Sequence, residues 1–308
     1  MEKRILHLVL YSPEPIYNDM ALETMNYYKH YEDIVHTVYY YCDENISETT
    51  LSKNGRILIL KNIDKSILET TLTTLKFFNP EDYSFLVRST VSTVLNFDLL
   101  IPQLKNEYSG FQIKCESKYK WIPYVHGSCI IFNNDTWKWI INNTDKIDKS
   151  LPDDVSFGTL LRIHRSEIFI TELSPSNVEF FNKHINCDKN IIYTNHISDS
   201  NRKYDIDNVK YVCKMLRIRE RMKGQIVLNI KYGSLDTNAV DVTDKIKSLS
   251  KTEDLLVDVD DNAKIDPLFG DPCPNIKKVL FITFSDSSTF NQSGIYTFTT
   301  EENCLTIR

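Results

Sequence analysis

Two aspartates, Asp153 and Asp154, stand side by side in SLPDDVSFGTLLRIH, after a proline and at the start of a segment patterned as a helix. One carboxylate there has an ordinary use. Asp caps the free N–H groups of a first helical turn and complements the helix dipole, worth ~1 kcal/mol. A second carboxylate alongside can take a proton from a hydroxyl, or orient its neighbour and raise its basicity. Upstream, VRSTVST (87 to 93) carries Arg88 with Ser89 and Ser92. A guanidinium presents a two-pronged fork to phosphate and hydroxyls add donors. A structural salt bridge to a nearby acid is the other use open to Arg88. Arg202 and Lys203, in NRKYD, could close on an anion from another side.

These residues need elements to hold them. ILHLVLYS (5 to 12) is a continuous apolar run, as for a strand covered on both faces. A helix follows over 18–31, with Asn18 and Asp19 as its caps, then strands over 34–42 and 56–61. A helix over 66–78 leads to the strand YSFLVRST and a short helix. This alternation predicts an α/β sheet with crossover connections, a Rossmann-related layout. Ligands of such sheets bind beyond the carboxyl ends of the strands. Tyr11 and Ser12, Asp43 and Glu44, and Arg88 to Ser92 are therefore expected to meet at one crevice. Asp43 and Glu44 would touch a ligand there or simply form a solvated turn.

From 108 the order becomes EYSG, then WIPYVHGSCIIF, a helix over NDTWKWIINN, and LPDDVSFG. This succession resembles the GT-A glycosyltransferases of the Fringe and β1,3-galactosyltransferase kind, and glycosyltransferases of giant DNA viruses in which an Arg-Thr-Asn-x-Ser-Ser-type cluster replaces the DxD motif. The resemblance covers about residues 4 to 215. It implies a GT-A-like fold and transfer of a sugar from a nucleotide-sugar, a UDP-sugar, to a glycan or glycoprotein hydroxyl with inversion. It also implies Asp154 as the base, with Asp153 the near alternative and the remaining aspartate capping the helix. Tyr11, Ser12, Asp43, Arg88, Ser89, Ser92, Arg202 and Lys203 would bind the donor. Trp121, Tyr124, His126 and Gly127 would wall the acceptor site. His126 and His196, the latter where many GT-A enzymes carry a late metal-binding histidine, also read as plain loop residues. The departure from the family is the missing DxD, which holds Mn²⁺ or Mg²⁺ against a diphosphate. VRSTVST occupies its place, so weak or absent metal dependence is expected, with no certain cofactor.

After Gly224 short alternating runs separated by Asp, Asn, Gly and Pro predict an all-β, sandwich-like accessory domain over 225–308, beside a catalytic domain over 1–224. It resembles a domain of unknown function at the end of some J-domain proteins, through KYG, DVT and DPLFGDPCPNIKKVL. Attachment, acceptor binding or homodimer formation are its expected uses. Its acidic cluster DVDDNAKIDPLFGD lacks the spacing of a regular calcium loop.

The totals agree with this class. The chain has 308 residues and a formal net charge of -6, so no basic field advertises a nucleic-acid partner. The first apolar run is too short for a secretory signal and no stretch approaches the ~18 apolar residues of a membrane span. Seven dispersed cysteines predict reduced thiols in a cytoplasmic setting (host cytoplasm or a virion if the source is viral) rather than a zinc site. On that basis the sequons at Asn45, Asn142 and Asn291 carry no weight. Trp137 and Trp139 are two apart on a helix and cannot share a face, so one is expected in the core.

Overall fold

The computed structural model describes residues 4–61, 66–115, 122–180, 190–195, 202–222, 225–234, 239–251, 255–259, 262–270, 272, 278–284, 289–292, 295–301 and 304–307. The chain divides into two compact units, with the change falling between Lys214 and Met215.

In the first unit, β1 (Arg4–Leu10), α1 (Pro15–Tyr28), β2 (Val35–Asp43), β3 (Thr50–Leu51), β4 (Ile57–Lys61), α2 (Ile67–Phe77) and β5 (Tyr83–Thr90) come first. Then follow β6 (Thr93–Leu95), α3 (Phe97–Leu100), β7 (Tyr108–Cys115), β8 (Ile122–Asn133), α4 (Asn134–Asn142) and α5 (Asp153–His164). Last are β9 (Ile170–Glu172), β10 (Val178–Phe180), β11 (Ile192–Thr194) and α6 (Lys203–Met222), which continues past the change of unit. Eight strands form one mixed sheet in the order β3-β4-β2-β1-β5-β8-β7-β9. Its centre, β4-β2-β1-β5, is parallel, and β8 joins antiparallel to β5 with Arg88 opposite Ile130. The expected α/β sheet is therefore present. A small sheet, β10-β11-β6, lies apart from it in the pairing scheme.

Local chemistry explains the helix starts. Ser66 caps α2 by accepting from the Glu69 N–H at 3.1 Å, and Asn133 caps α4 through the Thr136 N–H at 2.9 Å. α1 begins earlier than the Asn18–Asp19 caps predicted. Pro15 occupies its first turn, where a fixed φ and a missing N–H cost nothing. Leu6, Leu8, Val38, Leu58, Leu60 and Leu86 fill the core beneath α2, α4 and α5. Trp137 belongs to it, fully buried with its indole N–H donating to the Leu75 carbonyl at 3.2 Å. Trp139 is partly buried, beneath the Arg165 guanidinium. Helix α5 presses closely on β8 at Gly158, where a Cβ would stand 2.5 Å from Tyr124 Cβ and 2.9 Å from its Cα.

The second unit contains β12 (Val227–Gly233), β13 (Ala239–Asp241), α7 (Thr243–Leu249), β14 (Leu255–Asp258), α8 (Asn262–Phe269), β15 (Val279–Phe284), β16 (Thr289–Gln292), β17 (Ile295–Glu301) and β18 (Cys304–Ile307). Two antiparallel sheets, β13-β12-β15-β16 and β14-β17-β18, share a core around Ile230, Tyr232, Ile282 and Phe298. The module is β-rich but also carries α7 and α8, which the strand pattern did not anticipate. In TDKIKSL a single apolar residue, Ile246, is buried, so neither a period of two nor one of 3.6 declares itself. No helix among the described residues is long and apolar enough to cross a membrane.

Candidate functional site

Three parallel strands end at one place. Residues just beyond β1 (Tyr11, Ser12), at the end of β2 (Tyr41, Cys42, Glu44) and around the end of β5 (Arg88, Thr90, Ser92) line a cavity of about 990 Å³. His126, Gly127 and Ser128 of β8, both aspartates of α5, and Arg202 just before α6 line it too, beside Glu14 and Tyr17. Of the residues expected to meet there, Tyr11, Ser12, Glu44, Arg88, Thr90, Val91 and Ser92 line this cavity, while Asp43 and Ser89 do not.

The aspartate pair sits in the first turn of α5, but Pro152 holds the cap position and neither side chain makes the usual capping bond from there. Instead their environments diverge. Asp153 is buried, with Oδ2 2.7 Å from Arg88 Nη2. Asp154 accepts from the Gly127 N–H at 3.0 Å with Oδ2, and from the Val155 N–H at 2.8 Å with Oδ1. Burial pushes the Asp154 carboxyl above the usual aspartate range and the Asp153 charge adds to it, against the pull of two backbone N–H groups and Arg88.

Arg88 is only 3% exposed. Besides its ion pair with Asp153, it donates from Nη1 to the Gly127 carbonyl at 2.6 Å and from Nε to the Tyr40 hydroxyl at 3.4 Å. Burial opposes its charge, but Asp153, Tyr40 and Asp154 together outweigh it and hold the guanidinium above its usual range. Its fork is spent on protein groups, so Arg88 is the salt-bridged residue of the two readings rather than an open phosphate fork. The site is tight around Gly127. A Cβ there would stand 3.1 Å from Arg88 Nη1 and 3.2 Å from Asp154 Oδ2.

Other predicted residues divide. Ser92 reaches the cavity, its Oγ 3.3 Å from Thr90 Oγ1. Ser89 does not. Strand alternation turns it to the opposite face, fully buried, 2.8 Å from His7 Nε2. His7 is enclosed by Tyr28 and Phe97, and burial pulls its pKa down to about 3. Asp43 also turns aside: its Oδ1 accepts from the Asn45 N–H at 2.8 Å in a local turn. Lys203 opens α6 without lining the cavity, and Tyr124 is placed against Gly158. His126 does line it, with Nδ1 2.9 Å from Ser128 Oγ. Arg202, 4% exposed, places Nε 2.6 Å from Asp205 Oδ2 and its guanidinium 5.4 Å from the Tyr17 ring centroid. Trp121 and His196 lie outside the described residues.

Sequence reasoning placed Tyr11 at the donor but missed its aromatic partner Tyr41, which also lines the cavity. Tyr11 and Tyr41 meet edge to face, 5.6 Å between centroids, and the Tyr11 hydroxyl donates to Asn18. Parity within VYYYCD could have found Tyr41, since Tyr40 between its neighbours is core. Among the described residues no three His, Cys, Asp or Glu side chains converge as metal ligands do.

No family model and no curated protein matches the sequence. Solved structures with a similar chain path include 4-diphosphocytidyl-2C-methyl-D-erythritol synthase from Anaerococcus prevotii, at 9% identity and a TM-score of 0.41 over 69% of this chain and 99% of that one. The glycosyltransferase GlyE of Streptococcus pneumoniae gives 10% identity and a TM-score of 0.39, over 71% of this chain and 64% of its own length. A glycosyltransferase involved in glycosylation of the major capsid of PBCV-1 gives 6% and 0.38, over 68% and 99%. At these values the likeness is one of chain layout, and nothing about donor, acceptor or reaction is taken from it.

Proposed function

We propose that this chain is a glycosyltransferase that moves a sugar from a UDP-sugar to a hydroxyl of a glycan or glycoprotein, with inversion. One observation carries the reading: Asp154 borders a cavity at the carboxyl ends of parallel strands and is held less acidic than an ordinary aspartate. A carboxylate with raised proton affinity is better placed to take a hydroxyl proton, as a general base must. The cavity volume lies within the range of small-ligand sites. In this reading Tyr11, Ser12 and Ser92 take the donor, Arg202 faces the diphosphate, and His126 and Gly127 border the acceptor. The acceptor oxygen bonds to the anomeric carbon as its proton passes to Asp154. The bond to the diphosphate breaks on the opposite face, and the configuration inverts.

The donor groups named in this reading, Tyr11, Ser12, Ser92 and Arg202, are hydroxyls and a guanidinium, whereas a hard divalent cation favours carboxylate oxygens; Glu14 and Glu44 also line the cavity. No step is routed through Mn²⁺ or Mg²⁺. The second reading, a protein that binds a glycan or partner without turnover, is favoured by the commitment of Arg88 to Asp153. Calorimetry with UDP, GDP and several UDP-sugars, each with Mn²⁺ and with EDTA, tests both. Nucleotide binding that survives EDTA, with transfer abolished in Asp154→Asn, is the expected result. Absence of nucleotide binding under every condition would leave the binding-protein reading.

A further inference from the structure

Four residues close a ring at the edge of the cavity. Arg88 comes from β5, Gly127 from β8, and Asp153 and Asp154 from the first turn of α5. The Gly127 peptide is gripped from both sides. Its carbonyl accepts from Arg88 Nη1 at 2.6 Å, and its N–H donates to Asp154 Oδ2 at 3.0 Å. Arg88 Nη2 then meets Asp153 Oδ2 at 2.7 Å, which returns the ring to α5. What Arg88 governs is where the Gly127 peptide and the start of α5 stand relative to each other.

We propose that Arg88 is a positioning residue: by holding Asp153 and the Gly127 carbonyl, it fixes the Asp154 carboxylate against the Gly127 amide at the cavity wall. The inference rests on Asp154 as the base, and it moves Arg88 from contact with the ligand to support of the residue that makes contact. Removal of Arg88 has two effects on Asp154. The Asp153 carboxylate one residue away loses its counter-charge, and the Gly127 N–H loses the constraint that aims it. Both disfavour the ionised form. The groups that face Asp154 are Asp153 on its own helix, Arg88 from β5, Tyr108 from β7 and His126 from β8, with Tyr40 of β2 behind Arg88.

The test reads ionisation directly. Aspartate carboxyl carbons labelled with ¹³C, with the Asp154 signal assigned through Asp154→Asn, give its titration midpoint by NMR without turnover. Calorimetry with UDP on the same samples gives nucleotide affinity. Arg88→Met is expected to raise the midpoint by about one pH unit, tenfold in proton affinity, while UDP affinity stays within about twofold. Arg88→Lys, which restores the charge, is expected to return most of that shift. If Arg88→Met does not fold, Arg88→Gln carries the same expectation. A folded neutral variant whose midpoint stays in place overturns the proposal. So does an unmoved midpoint accompanied by a tenfold loss of UDP affinity, which would mark a phosphate clamp. A wild-type protein that binds no UDP sinks the donor reading alone, because the midpoints still decide the role of Arg88.

Discussion

At the scale of single residues, a half-buried carboxylate and a buried imidazole make opposite predictions about pH. Asp154 has a folded pKa above its unfolded value, so its contribution to stability is greatest in acid and is lost as pH rises through the folded value. Asp154→Asn is therefore expected to raise the melting temperature at pH 7, with the gain shrinking as pH falls toward 4. The same substitution should lower the transfer rate by about 10²–10⁴-fold, the usual worth of a general base. Calorimetric melts and rate assays across pH check both. His7 runs the other way, with its pKa depressed from 6.5 to about 3. Its contribution is complete above the unfolded value and is lost as pH falls from 6.5 toward 3. His7→Gln, still able to bond Ser89, should flatten that acid slope in urea titrations at successive pH values. Neither environment was legible beforehand. DD announces an unusual helix start, but which aspartate meets the arginine depends on a glycine 26 residues before the first of them. Ser89 shows the same limit: its type suggested ligand binding, and strand parity sent it to His7 instead.

At the scale of elements, the crevice depends on how closely α5 approaches β8. Gly158 is the point of contact, and a methyl group there would meet Tyr124 main chain as well as side chain. Gly158→Ala is expected to cost about 1–3 kcal/mol, the range for overpacking, despite the better helix propensity of alanine. It should also weaken nucleotide binding by displacing the aspartates, which a denaturation curve paired with UDP calorimetry would detect. Ser66→Ala, at the far simpler cap of α2, should cost about 1 kcal/mol and leave binding unchanged. Most of these elements could be read from the sequence, because β1 and β4 are mostly apolar runs, β2 and β5 are rich in β-branched and aromatic residues, and α2 carries its own cap. The misread start of α1 and the unexpected α7 lie where one proline or one buried isoleucine decides, and a pattern of repeats holds no record of a single residue.

At the scale of the whole molecule, two units hold separate cores. All three tryptophans, at 121, 137 and 139, fall in the first. Tryptophan fluorescence thus follows that unit, while far-UV circular dichroism follows both. Ile230→Ala, in the core of the second unit, is expected to cost about 2–5 kcal/mol. The dichroism transition in urea should shift and broaden while the fluorescence midpoint stays in place. A common shift would mean that the units unfold as one.

The pairing of Arg88 with Asp153 also bears on how such a site can change over generations. The partners are 65 positions apart in sequence, yet each is almost wholly buried against the other. Losing one partner of a buried ion pair costs about 3–5 kcal/mol, whereas replacing both with well-packed apolar groups is often neutral. Single-step mutants of either residue therefore stand in a fitness valley. Descendants of this chain are expected to keep both residues or exchange both together, so the two alignment columns should vary as one.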